Sequence, residues 1–148
     1  MNPDFRDMLS ALNEAGAEFL IVGAYALAAH GLPRATGDID IWVRSSEENA
    51  RHVWNALRAF RAPTSRVVCS DFTRPDIVFQ VGVAPRRIDI LTSISGVDFE
   101  DAWSERHTTI IDGLQLHFLS RQHLIVNKRA AGRPKDLADL AWLESGNP

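Results

Sequence analysis

Apolar positions recur along this chain at two different spacings. Where they recur every three to four residues, the pattern predicts amphipathic helices, over residues 3–15, 45–61, 98–106, 120–131 and 135–143, and an alanine-rich segment predicts another helix over 23–30. Short apolar or alternating runs predict strands, over residues 18–22, 38–43, 77–83, 87–92, 108–111 and 114–119, and residues 67–69 could form one more. The first helix is expected to cover one face of a sheet.

Two aspartates lie close together in one of these strands. Asp38 and Asp40 are one residue apart, and side chains alternate along a strand, so both face the same way while the apolar residues face the other way. Adjacent carboxylates repel each other unless a positive charge lies between them. Their oxygens suit a divalent cation such as magnesium, together with a phosphate-bearing substrate. The pair therefore predicts a metal site.

A third aspartate, Asp89, is flanked by two isoleucines in a later strand. A single acid in an apolar strand is costly unless it is paired or bound to a metal. Asp89 could pair with Arg86, Arg87 or another base, or it could meet Asp38 and Asp40 in space. In the second case, three carboxylates could hold two magnesium ions that activate a hydroxyl group and clamp a triphosphate.

Several other residues are candidates for contacts with phosphate. Gly23, at a strand-to-helix junction, lets the backbone turn sharply, and the free N–H groups of the following helix suit an anion. Arg34 and Thr36 carry groups that bind phosphate oxygens. Lys128 could reach a polyphosphate, and Asp136 could orient a nearby cation. Each residue also has a structural alternative: a tight turn, a solvated loop, or a charge that complements a helix dipole.

Length and composition limit the classes of protein to consider. The 148 residues predict a single domain, residues 1–148, and the net charge of -3 does not support an electrostatic surface for nucleic acid. One cysteine, Cys69, cannot form an internal disulfide, which favours a cytoplasmic location. The N-terminus lacks the features of a signal peptide, and no apolar run approaches the roughly 18 residues of a membrane span.

The acidic residues and the glycine together resemble a known superfamily. Gly23-Ala24, followed by Asp38-x-Asp40 on a strand and Asp89 on a later strand, is similar to the pattern of polymerase-beta-type nucleotidyltransferases. The string GAYALAAHGLPRATGDIDI, with Lys128 and the segment KDLADL at 135–140, resembles the branch that includes AbiEii-like toxins of toxin–antitoxin and phage-defence systems. These positions span residues 19–140.

The resemblance implies an α/β (α+β) fold, in which helices flank a mixed β-sheet. It also implies that Asp38 and Asp40 bind two magnesium ions, and that Asp89 completes the metal site and helps to deprotonate an acceptor hydroxyl. The triphosphate of an NTP substrate would face further residues, namely Gly23, Ala24, Arg34, Thr36 and Lys128.

The function that follows is magnesium-dependent transfer of a nucleoside monophosphate from an NTP to a hydroxyl of RNA, protein or a small molecule. Ala24 departs from the superfamily pattern, which usually has Ser or Gly there, and the chain leaves no room for a separate acceptor-binding domain. A first alternative is therefore a weak or inactive protein of the same fold that binds or regulates, for example with a cognate antitoxin. A second alternative is a phosphohydrolase or nuclease that uses the same acids.

Overall fold

The computed structural model describes residues 1–32, 37–83 and 85–145. Within them, the helices are α1 (Pro3–Glu14), α2 (Gly23–Ala29), α3 (Glu47–Phe60), a 3-10 helix (Cys69–Thr73), α4 (Phe99–Ser104), α5 (Arg121–Ala131) and α6 (Pro134–Glu144). The strands are β1 (Phe19–Val22), β2 (Ile39–Val43), β3 (Val78–Val81), β4 (Ile88–Leu91), β5 (His107–Ile111) and β6 (Leu114–Phe118). None of the helices in these ranges is both long enough and apolar enough to cross a lipid bilayer.

The six strands of the described residues form one mixed sheet in the order β3-β4-β2-β1-β6-β5. Strand β2 runs parallel to β4 and β1 runs parallel to β6, whereas the other neighbours are antiparallel. The sheet is therefore of the α+β kind that was predicted, with helices packed on both of its faces. Strands β2 and β4, which carry Asp40 and Asp89, are neighbours inside the sheet and do not lie at its edges.

One face of the sheet is apolar across its central strands. Ile39, Ile41 and Val43 of β2 are fully buried on this face, and α1 and α3, which pack against each other, provide the buried residues that cover it. The 3-10 helix packs against α3 and adds Phe72, whose ring meets that of Phe79 on β3 at 6.0 Å. Because this side carries no polar side chain from β2, it forms the main hydrophobic core.

The opposite face carries the polar positions of the same strands. Asp40 and Trp42 alternate with the isoleucines of β2, and the ring of Trp42 packs edge-on against Phe99 of α4 at 4.9 Å. Helices α5 and α6 pack against each other on this side and bury Leu124 and Leu143. Trp42 therefore packs against α4 at one end of β2, while Asp40 lies toward the other end of the same strand.

Residues 67–69 do not form the strand that their apolar side chains suggested. Val68 is 59% exposed, and the chain enters the 3-10 helix directly after it. The Val68 backbone N–H donates to Asp71 Oδ2 at 2.9 Å, and the Thr73 hydroxyl donates to the Ser70 carbonyl at 2.6 Å. These local hydrogen bonds and the burial of Phe72 favour a helical turn over strand pairing.

Candidate active site

A cavity of about 740 Å³ opens on the polar face of the sheet. Residues at the ends of β1, β2 and β4 line it from the sheet, and α5 and α6 line it from the other side. All three aspartates singled out in the sequence, Asp38, Asp40 and Asp89, lie on its wall. A volume of this size is within the usual range for a small-molecule site.

Strand register brings Asp40 and Asp89 together. The parallel pairing of β2 and β4 aligns Asp40 with Asp89 and continues through the next two residue pairs. Burial, and after it the neighbouring carboxylates of Asp89 and Asp38, together raise the pKa of Asp40 to about 6. The part of this shift that comes from neighbouring negative charge is what an added cation would relieve.

Arg87 contacts two of these acids. Its Nε lies 2.7 Å from Asp89 Oδ1 and its Nη2 lies 3.1 Å from Asp89 Oδ2, so the guanidinium binds this carboxylate in a fork. The Arg87 backbone N–H donates to Asp38 Oδ1 at 2.9 Å, and Nη2 lies 3.5 Å from Asp38 Oδ2. We call Arg87, Asp38 and Asp89 the Arg87 cluster. The sequence left two possibilities for Asp89, pairing with a basic residue or proximity to the other aspartates. Both occur, since Asp89 pairs with Arg87 and lies beside Asp40.

The chemistry of these donors fits a hard divalent cation. Three carboxylates in one cavity supply the oxygen ligands that magnesium prefers, and the neighbouring carboxylates of Asp89 and Asp38 contribute to the raised pKa of Asp40. Across the described ranges, no three side chains of His, Cys, Asp or Glu are grouped as a ready metal site. Arg87 holds two of the three carboxylates instead.

Gly23 is required by the approach of Asp40. Its φ of 66° is in the left-handed region that favours glycine, and a Cβ at this position would lie 2.4 Å from Asp40 Oδ2. The reason is the register of β1 and β2, which pairs Val22 with Asp40 immediately before α2 begins. Gly23 and Ala24 both line the cavity.

Lys128 is buried and already paired. Its Nζ lies 3.2 Å from Asp136 Oδ1 and 3.3 Å from Asp139 Oδ2, and the side chains of all three residues are at most 8% exposed. We call Lys128, Asp136 and Asp139 the Lys128 cluster. Asp136 therefore orients a cation, as the sequence suggested. The role of Lys128 as a phosphate ligand stays a prediction, although the residue lines the cavity.

The charges of the Lys128 cluster perturb one another strongly. Burial alone would raise the pKa of Asp136, but hydrogen bonds from Arg133 and Lys128 outweigh it and bring the pKa to about 2. Arg133 donates to this carboxylate from its backbone N–H and from its guanidinium, with Nε at 2.6 Å from Oδ2. Burial lowers the pKa of Lys128 against the opposing effect of Asp136. The cluster is thus a compact ionic unit that fixes α6 on α5.

Two cations of the cavity were not singled out as site residues. Arg133 and Lys135 line it from the start of α6, and the positive charge of Lys135 partly offsets the raised pKa of Asp40. Their position around the helix break at Pro134 is the sequence signal that could have identified them. Arg34 and Thr36, by contrast, lie outside the described residues.

Comparisons with known proteins support this assignment of the fold. Residues 5–144 match a family described as nucleotidyltransferases of unknown function (DUF6036). The structure is similar to that of a nucleotidyltransferase candidate from Thermotoga maritima, with a TM-score of 0.62 and 17% identity over 98% of this chain and 96% of that chain. No curated protein matches the chain in sequence.

The predicted superfamily is therefore confirmed at the level of family and fold, while the likeness to the AbiEii branch stays a prediction. At 17% identity, the structural likeness shows the shared fold alone. The family match covers nearly all of the residues that the structure describes. This chain belongs to the DUF6036 family of nucleotidyltransferases, whose function is unknown.

Proposed function

We propose that this protein transfers a nucleoside monophosphate from an NTP to a hydroxyl acceptor in a magnesium-dependent reaction. The observation that carries the proposal is the alignment of Asp40 with Asp89 on neighbouring parallel strands, with the pKa of Asp40 raised to about 6. The cavity contains both closely spaced carboxylates and basic side chains. The carboxylates suit a metal ion, and the basic side chains suit the phosphates of a substrate that binds together with the metal.

In this proposal, Asp38, Asp40 and Asp89 hold the magnesium ions. When bound, magnesium would supply positive charge that stabilises the transferring phosphoryl group. Arg87 would release Asp89 and become available to a phosphate oxygen, for which its fork of donors is well suited. Asp89 would accept the proton of the acceptor hydroxyl, the role that the resemblance to the superfamily implies for the third acid.

The phosphates would lie toward α6. Lys135 and Arg133 both act on the charge of Asp40, and both line the cavity. Neither of them is buried. Lys135 can therefore reorient toward a ligand with little loss of solvation, and Arg133 can offer a ligand the donors that Asp136 does not use. Gly23 contributes space beside Asp40 rather than a side chain.

The experiment that tests the proposal is label transfer from α-labelled NTPs to total RNA, total protein and small hydroxyl compounds. We expect transfer with wild type and magnesium, and a loss of at least 100-fold with Asp40→Asn or Asp89→Asn, since metal-held charge supplies several kcal/mol of the barrier. The matched control is Asp7→Asn on the exposed side of α1. Equal turnover by wild type and either variant would refute these roles.

The products separate this function from the hydrolase alternative. A nucleotidyltransferase releases pyrophosphate and labels an acceptor, whereas a phosphohydrolase or nuclease releases free phosphate or a cleaved strand. The identity of the labelled acceptor would also show whether RNA, protein or a small molecule is modified. Co-purification with the product of a neighbouring gene would test the proposed antitoxin partner.

A non-catalytic binding role is the second candidate. Two observations favour it. Arg87 already occupies both oxygens of Asp89, which a metal would need. Lys128 is already paired with two aspartates, which reduces its charge toward a phosphate. Calorimetric titration with ATP decides between the two. Binding that strengthens with magnesium supports the enzyme, and binding that ignores magnesium supports the alternative.

A further inference from the structure

The cavity has two chemically different ends. One end is charged and holds the Arg87 cluster, Asp40 and the cations of α6. The other end is neutral and is lined by Val78, Leu91, Ser93, Ile94, Ser95 and Asn127. A nucleotide has the same division, because its phosphates are charged and its base is a neutral ring with polar edges.

Strand pairing sets the order of the two ends. On β4, Leu91 follows Asp89 by two residues on the same face, about 7 Å along the strand. Val78 of β3 pairs with Leu91, just as Gln80 pairs with Asp89. Together, Val78 and Leu91 form an apolar floor beyond the carboxylates, at about the distance that a ribose places between a phosphate and its base.

Asn127 faces this neutral end with a fixed amide. Its Nδ2 donates to the Ser95 carbonyl at 3.0 Å, and a bridge between Ile94 and Val97 holds the loop that carries this carbonyl. A carbonyl can only accept, so the nitrogen of the amide must face Ser95 and the oxygen must face away. Among the described residues, Asn127 Oδ1 makes no hydrogen bond, and the side chain is half-buried.

From this geometry we infer that Asn127 recognises the base of the nucleotide, and that the protein prefers NTPs whose base carries an exocyclic amino group. The inference rests on the proposed function. An exocyclic amino group projects from the base edge and donates to Oδ1 of Asn127 without hindrance. Uracil has only a ring N–H between two carbonyl oxygens, and these would crowd the amide oxygen and the Ser95 carbonyl.

The test is calorimetric binding of α,β-methylene analogues of ATP, CTP, GTP, UTP and ITP in the presence of magnesium. We expect at least one amino-bearing analogue to bind roughly 2- to 10-fold more tightly than the UTP analogue, the value of one net hydrogen bond. The ITP analogue, a purine without an amino group, should bind like the UTP analogue. Asn127→Leu should remove the difference by weakening only the amino-bearing analogues.

Gln122→Leu is the matched control, because Gln122 is exposed on the same helix and is not among the residues that line the cavity. Asn127→Gln should restore part of the preference if the amide is what matters, and its circular dichroism checks the fold independently of binding. Equal affinity for all five analogues, or a preference that survives in Asn127→Leu, would overturn the inference. If no analogue binds wild type at all, the proposed function itself fails.

Discussion

The Arg87 cluster lines the cavity, as do Lys128 and Asp139 of the Lys128 cluster, and each cluster joins one cation to two aspartates. They differ in burial. In the Arg87 cluster, the side chains of Arg87 and Asp38 are 30% and 31% exposed and that of Asp89 is 11% exposed, whereas the side chains of the Lys128 cluster are 0–8% exposed. Water therefore reaches Arg87 and Asp38 in the first cluster, whereas it reaches little of the second.

Because they differ in burial, we expect the two clusters to have different roles although both are ion pairs between a cation and aspartates. Partly exposed ion pairs contribute little net stability and exchange partners easily, so the Arg87 cluster can open for a ligand. Buried pairs have lost their hydration, and removal of one partner leaves an uncompensated charge in a poorly solvated place. We therefore expect the Lys128 cluster to stay closed during binding and to keep α5 and α6 in register.

The largest expected effect comes from removal of the buried cation. Lys128→Met removes the cation between two buried carboxylates, so that Asp139 loses its contact with Lys128 while Asp136 keeps Arg133, and we therefore expect a loss of about 3–5 kcal/mol in the free energy of unfolding. Urea denaturation measures it. The matched control is Lys135→Met, on an exposed position of α6. Similar stabilities for the two variants would show that the buried cluster is not the structural unit proposed here.

A smaller effect on the free energy of unfolding is expected when the pH is lowered. The pKa of Asp136 is about 2 in the folded protein against an ordinary 3.8, so its ionised form stabilises the fold. This contribution is fully present above about pH 4 and is lost as the pH falls toward 2, for a total of about 2 kcal/mol.

The check compares wild type with Asp136→Asn in urea between pH 6 and pH 2.5. The advantage of wild type over the variant should shrink as the pH falls below about 4. Asp4→Asn, at an exposed position of α1, is the control for general acid effects. An advantage that stays constant with pH would contradict the depressed pKa of Asp136.

The smallest effect on stability is expected at Arg87. Arg87→Met should lower the free energy of unfolding by only about 1 kcal/mol, because the guanidinium and Asp38 are partly solvated and Asp89 alone loses a partner in a buried place. It should raise the affinity for magnesium by a factor on the order of ten, since the ion would no longer compete with a resident cation. Magnesium titration by calorimetry measures this.

Arg86→Met is the control for the Arg87 variant, because it removes the same charge one residue earlier, where no ion pair to a described residue is formed. Unchanged magnesium affinity in Arg87→Met would mean that the guanidinium does not compete for the carboxylates. A large loss of stability in that variant would remove the contrast between the two clusters.

Local sequence signals predicted the helices better than the short apolar runs. Serine is a preferred N-cap residue, so Ser45 or Ser46 and Ser120 predict the starts of α3 and α5. In the structure Ser46 and Ser120 are the caps, each accepting a hydrogen bond from a backbone N–H three residues later. Residues 67–69 were wrongly predicted as strand-forming, since no signal in three apolar residues shows whether a neighbouring strand is free to pair. Asp71 and Phe72 decided that outcome through local bonds and burial.

The sequence by itself determined that Asp38 and Asp40 share a face and that Asp89 lies in a strand, because alternation along a strand is a local property. Only the tertiary structure decided that β2 and β4 are parallel neighbours with Asp40 opposite Asp89. It also decided that Arg87 pairs with Asp89 and that Lys128 is buried between Asp136 and Asp139. Burial and the distance between charges depend on which segments pack together, and those two quantities set the pKa values and the exchangeability of the ion pairs.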